Sequence, residues 1–207
     1  MAKSSQAAVA TPSRRARKKA RTRGEIYAAA MRLFVARGFD AVTIEDICDT
    51  ADVARGTFFL HFPTKDALLG EYGVQATAEL AERLRAGRRT AAAALKDALE
   101  FLAERAERHA EIVRLMVREV MARPAALADT TEQSRDLVAL LAGVVRRGQA
   151  SGELRGGVDP VLAAAIVVST YMAIVGEWAR RAGTLELQAA IAQALDVVLG
   201  GLRRRRT

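Results

Sequence analysis

The sequence is poor in the residues from which disulfides and metal centres are built. Its 207 residues include one cysteine, Cys48, and two histidines, His61 and His109, which lie far apart in the chain. A single cysteine forms no disulfide within its own chain and no cysteine-based metal cluster. No glycine-rich loop follows a strand-like segment, so the recognisable parts of a catalytic site are missing. We therefore expect no catalytic residues, no metal, no cofactor and no enzymatic activity.

Proline and aromatic residues are also scarce, with four prolines in the chain and an aromatic content of 5%. Alanine and leucine, which favour helix, fill long stretches, and no alternating pattern typical of strands competes with them. Hydrophobic residues make up 51% of the chain, which is enough for a sizeable core. The sequence predicts an all-α protein of about nine helices, the later ones at 65–84, 91–109, 111–122, 131–150, 160–181 and 185–202.

Long uncharged segments are rare. No apolar run near the N-terminus is long enough for a signal peptide, so we expect a cytoplasmic protein. The stretch 160–176 carries no charge and approaches the length of a membrane-spanning helix, which is the alternative interpretation. Because it contains Ser169 and Thr170 and has amphipathic helices on both sides, we expect it to be buried against a partner subunit and not in a membrane.

The net charge of +8 comes from the two ends of the chain. Residues 1–23 contain eight lysines or arginines and no acidic residue, and residues 203–206 are four arginines. Acidic residues outnumber basic ones in between. Clustered cations outside a core neutralise phosphates, although a solubilising tail has the same composition. We predict a flexible basic arm over 1–19 which, with Arg21 and Arg23, supplies much of the affinity for DNA.

Local signals predict a first helix near the end of this basic segment. Thr22 and Glu25 have the spacing of a capping box, in which each side chain accepts from a backbone N–H near the other residue. Gly38 has the position of a left-handed glycine that ends a helix, and Phe39 follows it. The first helix is therefore expected to begin at Thr22 and to end before Gly38.

Two more short helices follow at once. Thr43 and Asp46 repeat the capping-box spacing, and a third helix is predicted over 55–61 after a tight turn. Three helices of which the last two are joined by a tight turn form a helix-turn-helix, which places its last helix in the major groove of DNA.

The residues of this region resemble the TetR family of one-component transcriptional regulators. The resemblance covers about residues 20–70 and rests on order, spacing and residue type over three consecutive helices. The matching segments are GFDAVTIEDI at 38–47, ADVARGTFF at 51–59 and HFPTKDALL at 61–69. The resemblance implies a DNA-binding domain over 20–80 with its helix-turn-helix at 43–62, and contacts with double-stranded operator DNA by Thr43, Arg55, Gly56, Thr57, Phe59, His61 and Lys65.

The resemblance also implies roles for several of these residues. Arg55 would read base edges, because a guanidinium can bind both major-groove acceptors of guanine. Gly56 would allow close approach to DNA or serve the turn alone. His61 and Lys65 would contact phosphates, and the N-terminal dipole of the fourth helix would help Lys65. Many relatives carry a tyrosine where this chain has Phe59, so one phosphate hydrogen bond is expected to be missing.

In the TetR family the remaining helices, here 81–207, form a domain for ligand binding and dimerisation. The helix at 160–181 is apolar nearly all round, and the last helix carries a matching stripe. Burial within one subunit is the alternative to pairing between two. The residues predicted for a homodimer interface are Val161, Leu162, Ala165, Ile166, Ser169, Met172, Ala173, Ile191, Leu195 and Val198.

A small-molecule effector is implied by the family, and its pocket is expected among the middle helices. Bulky, adaptable and polar side chains are the candidates, and each could equally be part of the core. The candidates are Phe101, His109, Met116, Met121, Tyr171 and Trp178. The function implied is a repressor released from a palindromic operator by this effector. A nonspecific DNA-coating protein and a helical adaptor without DNA binding are the alternatives, and the adaptor leaves the sequence at 55–57 unexplained.

Overall fold

The structure, a computed structural model, describes residues 13–87, 89–122, 124–181 and 185–202, with 124–133 described by backbone alone. Over these residues the chain forms nine α-helices and no strand, which confirms the all-α prediction. The helices are α1 (Arg14–Arg37), α2 (Ile44–Ala51), α3 (Arg55–His61), α4 (Ala67–Ala86), α5 (Ala91–Arg108), α6 (Ala110–Ala122), α7 (Pro124–Ala150), α8 (Pro160–Arg180) and α9 (Leu187–Leu202).

The chain divides into two compact units, 1–64 and 65–207. The boundary predicted after residue 80 lies inside α4, so it does not coincide with this division. Helix α4 packs against α5 and α7, and its Ala76 and Leu80 are part of the core of the second unit. Because a helix belongs with the core that buries its apolar side chains, the first unit ends before α4.

Helix α1 begins two turns earlier than the sequence predicts. The hydroxyl of Ser13 accepts from the backbone N–H of Ala16 at 3.2 Å and caps the helix. Arginine, lysine and alanine then continue the helix because all three have high helix propensity. Residues 14–19 of the predicted flexible arm are therefore helical, and residues 1–12 of that arm, like the arginines at 203–206, lie outside the described residues.

The core of the first unit joins its three helices. Helix α1 packs on α2, and α2 packs on α3. Gly38 ends α1 with a φ of 83°, which favours glycine, and its N–H donates to the Phe34 carbonyl oxygen at 2.9 Å. The chain then turns back, so that the rings of Phe34 and Phe39 lie 4.8 Å apart. Fully buried side chains from all three helices and from the segments between them complete this core: Ile26, Ala30, Val42, Ile47, Phe58 and Phe62.

Helices α5 and α8 lie at the centre of the second unit. Helix α5 packs against α4, α6, α7, α8 and α9, while α8 packs against α5, α6, α7 and α9. The start of α8 has the signals that the sequence indicates: the Asp159 carboxylate accepts from the N–H groups of Val161 and Leu162 at 2.8 Å, and Pro160 occupies the first turn.

The start of α5 and the end of α7 are in close contact. A Cβ on Gly148 would lie 2.4 Å from the Cβ of Ala91, so no larger residue fits without movement. The Glu153 carboxylate accepts from the backbone N–H groups of Ala91 and Ala92 at 2.6 and 2.9 Å. A carboxylate from a distant turn therefore satisfies donors that the first turn of a helix leaves open.

Among the described helices, α8 is the one with the length and hydropathy of a membrane-spanning segment. Its most apolar window has a mean hydropathy of 1.7, and 39% of that window is buried within the protein. Four large apolar residues of this helix, Val161, Leu162, Ile166 and Met172, are exposed.

Candidate nucleic-acid interface

Helix α3 presents one exposed face and one buried face. Phe58 is fully buried, and the centres of its ring and of the Phe62 ring lie 6.0 Å apart. This packing fixes the helix to its unit. On the other side Arg55 and Gly56 are exposed, and Thr57 is half-buried. No atom lies within 4 Å of a Cβ placed on Gly56, so protein packing does not require glycine there. This open first turn is the part of α3 that the sequence predicts to face bases.

Arg55 makes an ion pair in the free protein. Its Nη1 contacts the Glu45 carboxylate of α2, and its guanidinium lies 5.7 Å from the centre of the Phe59 ring. Both members of the pair are more than half exposed. Exposed ion pairs contribute only about 0–1 kcal/mol, so Arg55 can leave Glu45 for a base at little cost.

Leu60 is an exposed residue of α3 that the sequence analysis did not select. Its side chain is 77% exposed, more than any other large apolar residue described in the first unit, and Phe59 beside it is 44% exposed. Leucine in a short amphipathic helix is ordinarily assigned to the core. Its exposure can be recognised only once the buried side of α3 is known from Phe58 and Phe62.

Thr43 and Asp46 form the capping box that the sequence predicts at the start of α2. The Thr43 hydroxyl donates to the Asp46 carboxylate at 2.7 Å and accepts from the Asp46 N–H at 3.1 Å. The Thr43 N–H also donates to this carboxylate, at 2.8 Å. The hydroxyl proton is therefore occupied in the free protein, and the predicted phosphate contact by Thr43 requires it to leave Asp46.

The capping box predicts an acid-sensitive first unit. Hydrogen bonds from Thr43 and from Arg37 lower the pKa of Asp46 to about 2, below its usual value of 3.8. A lowered pKa stabilises the folded state above the usual value, and this contribution is lost as the pH falls from about 4 to about 2. We expect Asp46→Asn to lower helix stability at neutral pH and to remove part of the acid transition, measured by circular dichroism from pH 7 to pH 2. Asp49→Asn, on the exposed side of the same helix, is the matched control, and equal acid curves for the two variants would contradict the assignment.

Arg23 has a structural position and is not part of a free arm. Its Nη1 donates to the His61 carbonyl oxygen at the end of α3, and its guanidinium lies 4.2 Å from the centre of the Phe62 ring. Arg21, by contrast, is exposed and pairs with Glu25 at 2.8 Å. Arg23 therefore holds the end of α3, and its contact with DNA stays a prediction.

This position of Arg23 gives a testable difference between two arginines of α1. We expect Arg23→Lys to lower the stability of the first unit by about 1–2 kcal/mol, because an ammonium group loses the planar stacking on Phe62 and the directed hydrogen bond. Thermal unfolding of the full-length protein measures the change. Arg21→Lys keeps the same charge at an exposed site and should leave stability unchanged. A loss of equal size in both variants would show that α1 charge, and not the Arg23 contact, is responsible.

His61 and Lys65 were predicted as phosphate contacts. His61 is half-buried, and its Nδ1 makes no hydrogen bond within the described residues. Burial, together with the charges of Arg23 and Lys19, lowers the pKa of His61, so the imidazole is neutral at pH 7. Lys65 is half-buried at the start of the second unit, before α4.

The predicted effector residues occupy several places in the second unit. The His109 ring lies 6.1 Å from the Tyr72 ring, and the Tyr171 hydroxyl donates to the Leu102 carbonyl oxygen at 3.2 Å. The guanidinium groups of Arg83 and Arg114 lie over the rings of Phe101 and Trp178. The Arg180 guanidinium contacts the sulfur of Met121, and Met116 is half-buried. A cleft of about 730 Å³ lies elsewhere, lined by Arg83, Leu84, Ala86, Gly87, Arg89, Ala94, Asp97 and Arg147.

The residues predicted for the dimer interface divide into two groups. On α8 the apolar side chains of Val161, Leu162, Ile166 and Met172 are 41–57% exposed. Ser169 and Ala173 are also exposed, while Ala165 and Val198 are half-buried. Ile191 and Leu195 are buried in the core of their own chain, because α9 turns them toward α5 and α8. A buried side chain has no surface left to bury against a second copy, so these two residues are removed from the predicted interface.

Comparison with known proteins identifies both units. The family model for bacterial regulatory proteins of the tetR family matches residues 26–72, and the model for a tetracyclin repressor-like C-terminal domain matches residues 92–178. The HTH-type transcriptional regulator TcmR of Streptomyces glaucescens is 40% identical over 55 residues, which are 27% of this chain and 24% of that protein. The uncharacterized HTH-type regulator YerO of Bacillus subtilis is 46% identical over 39 residues, 19% of this chain and 14% of that protein.

Solved structures extend the similarity beyond the short segments shared with these curated relatives. The TetR-family repressor FadR of Thermus thermophilus, in complex with lauroyl-CoA, is 29% identical with a TM-score of 0.74, covering 89% of this chain and 97% of that chain. FadR of Bacillus subtilis, in complex with stearoyl-CoA, shares the fold at 22% identity and a TM-score of 0.68, covering 87% and 99%. The helix-turn-helix and the helical body both match, and the chain belongs to the TetR family of bacterial regulatory proteins.

Proposed function

We propose that the protein is a transcriptional repressor that binds a palindromic operator as a homodimer and leaves it when a small-molecule effector binds. The observation that carries this proposal is the open face of α3. Arg55, Gly56 and Leu60 are exposed on a helix that Phe58 holds to its unit from the other side. A short helix fixed in this way can enter a major groove without losing its packing.

The charges of α1 support binding to a polyanion. The first two turns of this helix carry five exposed cations, Arg14, Arg15, Arg17, Lys18 and Lys19. Because they lie on a helix, they present charge in fixed positions, and Lys19 lies close enough to the end of α3 to influence His61. Phosphate contacts of this kind position a protein on DNA and make its affinity depend on salt.

The side chains of α3 indicate what is read. A guanidinium at Arg55 fits the two acceptors of a guanine edge. Leu60 and Phe59 place exposed apolar groups on the same helix, and thymine methyl groups are the apolar feature of the major groove. We therefore propose that each half-site contains guanine for Arg55 and thymine near Leu60.

The exposed face of α8 supports the homodimer. Four large apolar side chains at helical spacing remain in solvent in the single chain, and Val197 on α9 is 78% exposed. A second copy covers such a face through an interface in which the same patch serves both subunits. Two recognition helices related by a two-fold axis fit half-sites about one helical turn apart, so a palindromic operator follows.

An acyl thioester is the first effector to test. The repressor from Thermus thermophilus binds lauroyl-CoA and is 29% identical to this chain over nearly its whole length. We propose that an acyl compound binding in the second unit favours a spacing of the two recognition helices that fits only one half-site at a time. Coupling of about 1–3 kcal/mol is enough for such release. Such a regulator works in the cytoplasm and needs no catalytic residues.

Footprinting on the DNA that flanks the gene tests the proposal, with and without lauroyl-CoA. We expect one discrete, two-fold symmetric footprint that weakens when lauroyl-CoA is added. Uniform protection along the DNA would favour a nonspecific DNA-coating protein instead. Absence of any protection at low salt would favour an adaptor without DNA binding. A footprint that lauroyl-CoA does not weaken would reject an acyl compound as the effector.

A further inference from the structure

A buried arginine in the second unit has a hydrogen-bond donor without a well-placed acceptor. Arg105 on α5 is 6% exposed and is one of three buried charged residues among those described. Its Nε and Nη2 donate to the Glu79 carboxylate of α4 at 3.1 and 3.2 Å. Its Nη1 is also buried and makes no hydrogen bond of good geometry within the described residues. The Tyr72 hydroxyl is close enough to the guanidinium to interact with it, but it does not complete a well-aligned hydrogen bond to Nη1.

An unsatisfied donor on a buried cation is unfavourable and uncommon in folded proteins. Glu79 does not explain it, because this carboxylate is 52% exposed and holds the opposite edge of the guanidinium. A simple structural ion pair would be satisfied by a lysine or by an arginine at the surface. The second edge of the Arg105 guanidinium can therefore still donate to a better-placed acceptor.

The surroundings of Arg105 define what this acceptor belongs to. The centre of the Tyr72 ring lies 4.3 Å from the Arg105 Cζ, and the Tyr72 hydroxyl is buried and makes no hydrogen bond of good geometry. Burial raises the pKa of Tyr72 although the charge of Arg105 and the interaction of its guanidinium with the hydroxyl oppose this, so the hydroxyl keeps its proton. Leu102 and Tyr171 nearby are buried members of the apolar core. Two donors in an apolar wall suit a ligand that is apolar except for one oxygen acceptor.

We propose that Arg105, through Nη1, and Tyr72, through its hydroxyl, bind the acyl oxygen of an aliphatic effector. The inference rests on the proposed function, and it names the residues and the ligand group that the effector site uses. A thioester carbonyl and a free carboxylate share this chemistry. His109, whose ring packs edge-on against Tyr72, is a positioning residue for that side chain.

The test compares two ligands that differ in one oxygen. Lauroyl-CoA carries the thioester carbonyl, and S-dodecyl-CoA has the same chain and the same CoA without it. Binding to the full-length protein is followed by isothermal titration and by fluorescence of Trp178, the single tryptophan of the chain. We expect the wild-type protein to prefer lauroyl-CoA by about tenfold or more, as expected for a hydrogen bond to a charged group. Laurate is the third probe, and laurate binding tighter than lauroyl-CoA would identify a free acid as the ligand.

Arg105→Lys is the informative variant, because lysine keeps the charge beside Glu79 but has no second edge. We expect it to bind lauroyl-CoA and S-dodecyl-CoA equally, and Tyr72→Phe to lose part of the preference. Arg83→Lys is the matched control, since Arg83 also holds a carboxylate with two nitrogens, that of Asp97 at 3.2 Å. Because the readout is a ratio of two ligands on one variant, a general loss of stability leaves it unchanged. Circular dichroism confirms that each variant is folded.

Three outcomes would overturn the inference: a wild-type protein without the preference, an Arg105→Lys variant that keeps it, and no binding of any of the three probes. The footprint reports separately on the proposed function. A symmetric footprint together with any of these three results rejects the Arg105 site alone. A tenfold preference without a footprint rejects the repressor and leaves the site in place.

Discussion

Arg55→Ala is expected to abolish specific operator binding while leaving the fold intact. A bidentate contact between arginine and guanine contributes about 1–3 kcal/mol of discrimination. A homodimer contains two copies, so the substitution removes this contribution from both half-sites, about 2–6 kcal/mol or roughly 30-fold to 10⁴-fold in affinity. The side chain is exposed and its one ion pair, with Glu45, is at the surface, so little stability is lost.

Fluorescence anisotropy with the footprinted operator and with a scrambled duplex measures this effect. Arg55→Lys keeps the charge without the bidentate geometry, and we expect it to lose most of the discrimination. Arg32→Ala removes one exposed arginine from α1 and is the control for net charge. If Arg55→Ala and Arg32→Ala weaken binding equally on both duplexes, Arg55 contributes charge alone and does not read bases.

Ile166→Lys is expected to convert the proposed homodimer into a monomer. Ile166 lies in the middle of the exposed apolar face of α8 and is 45% exposed in the single chain. In a two-fold interface the substitution places two ammonium groups in the buried contact, where the free-energy cost of removing them from water is not compensated. The monomer binds one half-site at a time, and losing this bivalency lowers operator affinity by about 10²-fold to 10⁴-fold.

Analytical ultracentrifugation and operator titration of the same preparation test this result. Val74→Lys is the matched control, because Val74 on α4 is a β-branched apolar residue that is 42% exposed, close to the 45% of Ile166, and lies on a different helix. We expect this control to remain dimeric. An Ile166→Lys protein that sediments as a dimer and binds the operator tightly would show that the subunits pair through a different surface.

The DNA-binding helices could be predicted closely because their signals are local. The capping box of Thr43 with Asp46, the end of α1 at Gly38 and the range of α3 all appear in the structure as predicted. Each depends on residues within one helical turn, so the sequence contains the whole interaction. Gly38 has a positive φ, which favours glycine, but its ψ of 154° lies outside the left-handed helical region. The start of α1 was predicted two turns too late, because Thr22 with Glu25 has the capping pattern inside a helix that Ser13 begins.

The parts of the candidate site that were missed depend on distant residues. Arg23 contacts the end of α3, which is 38 positions away in the chain, and Arg105 holds Glu79 from a neighbouring helix. The amphipathic stripe of α9 predicted Ile191 and Leu195 as interface residues, although they belong to the core. A stripe shows that a helix face is apolar, but it does not show whether the same chain or a second chain covers it.

The sequence by itself determined the helical class, the helix-turn-helix and the family, because short-range capping, helix propensity and residue order carry that information. Only the tertiary structure decided that α1 extends into the basic segment, that α4 belongs to the second unit, that Leu60 is exposed and that the buried Arg105 has a donor without a well-placed acceptor. The physical reason is that burial is a property of packed helices. Whether an apolar or charged side chain is covered, paired or exposed is set by neighbours that are far away in the chain.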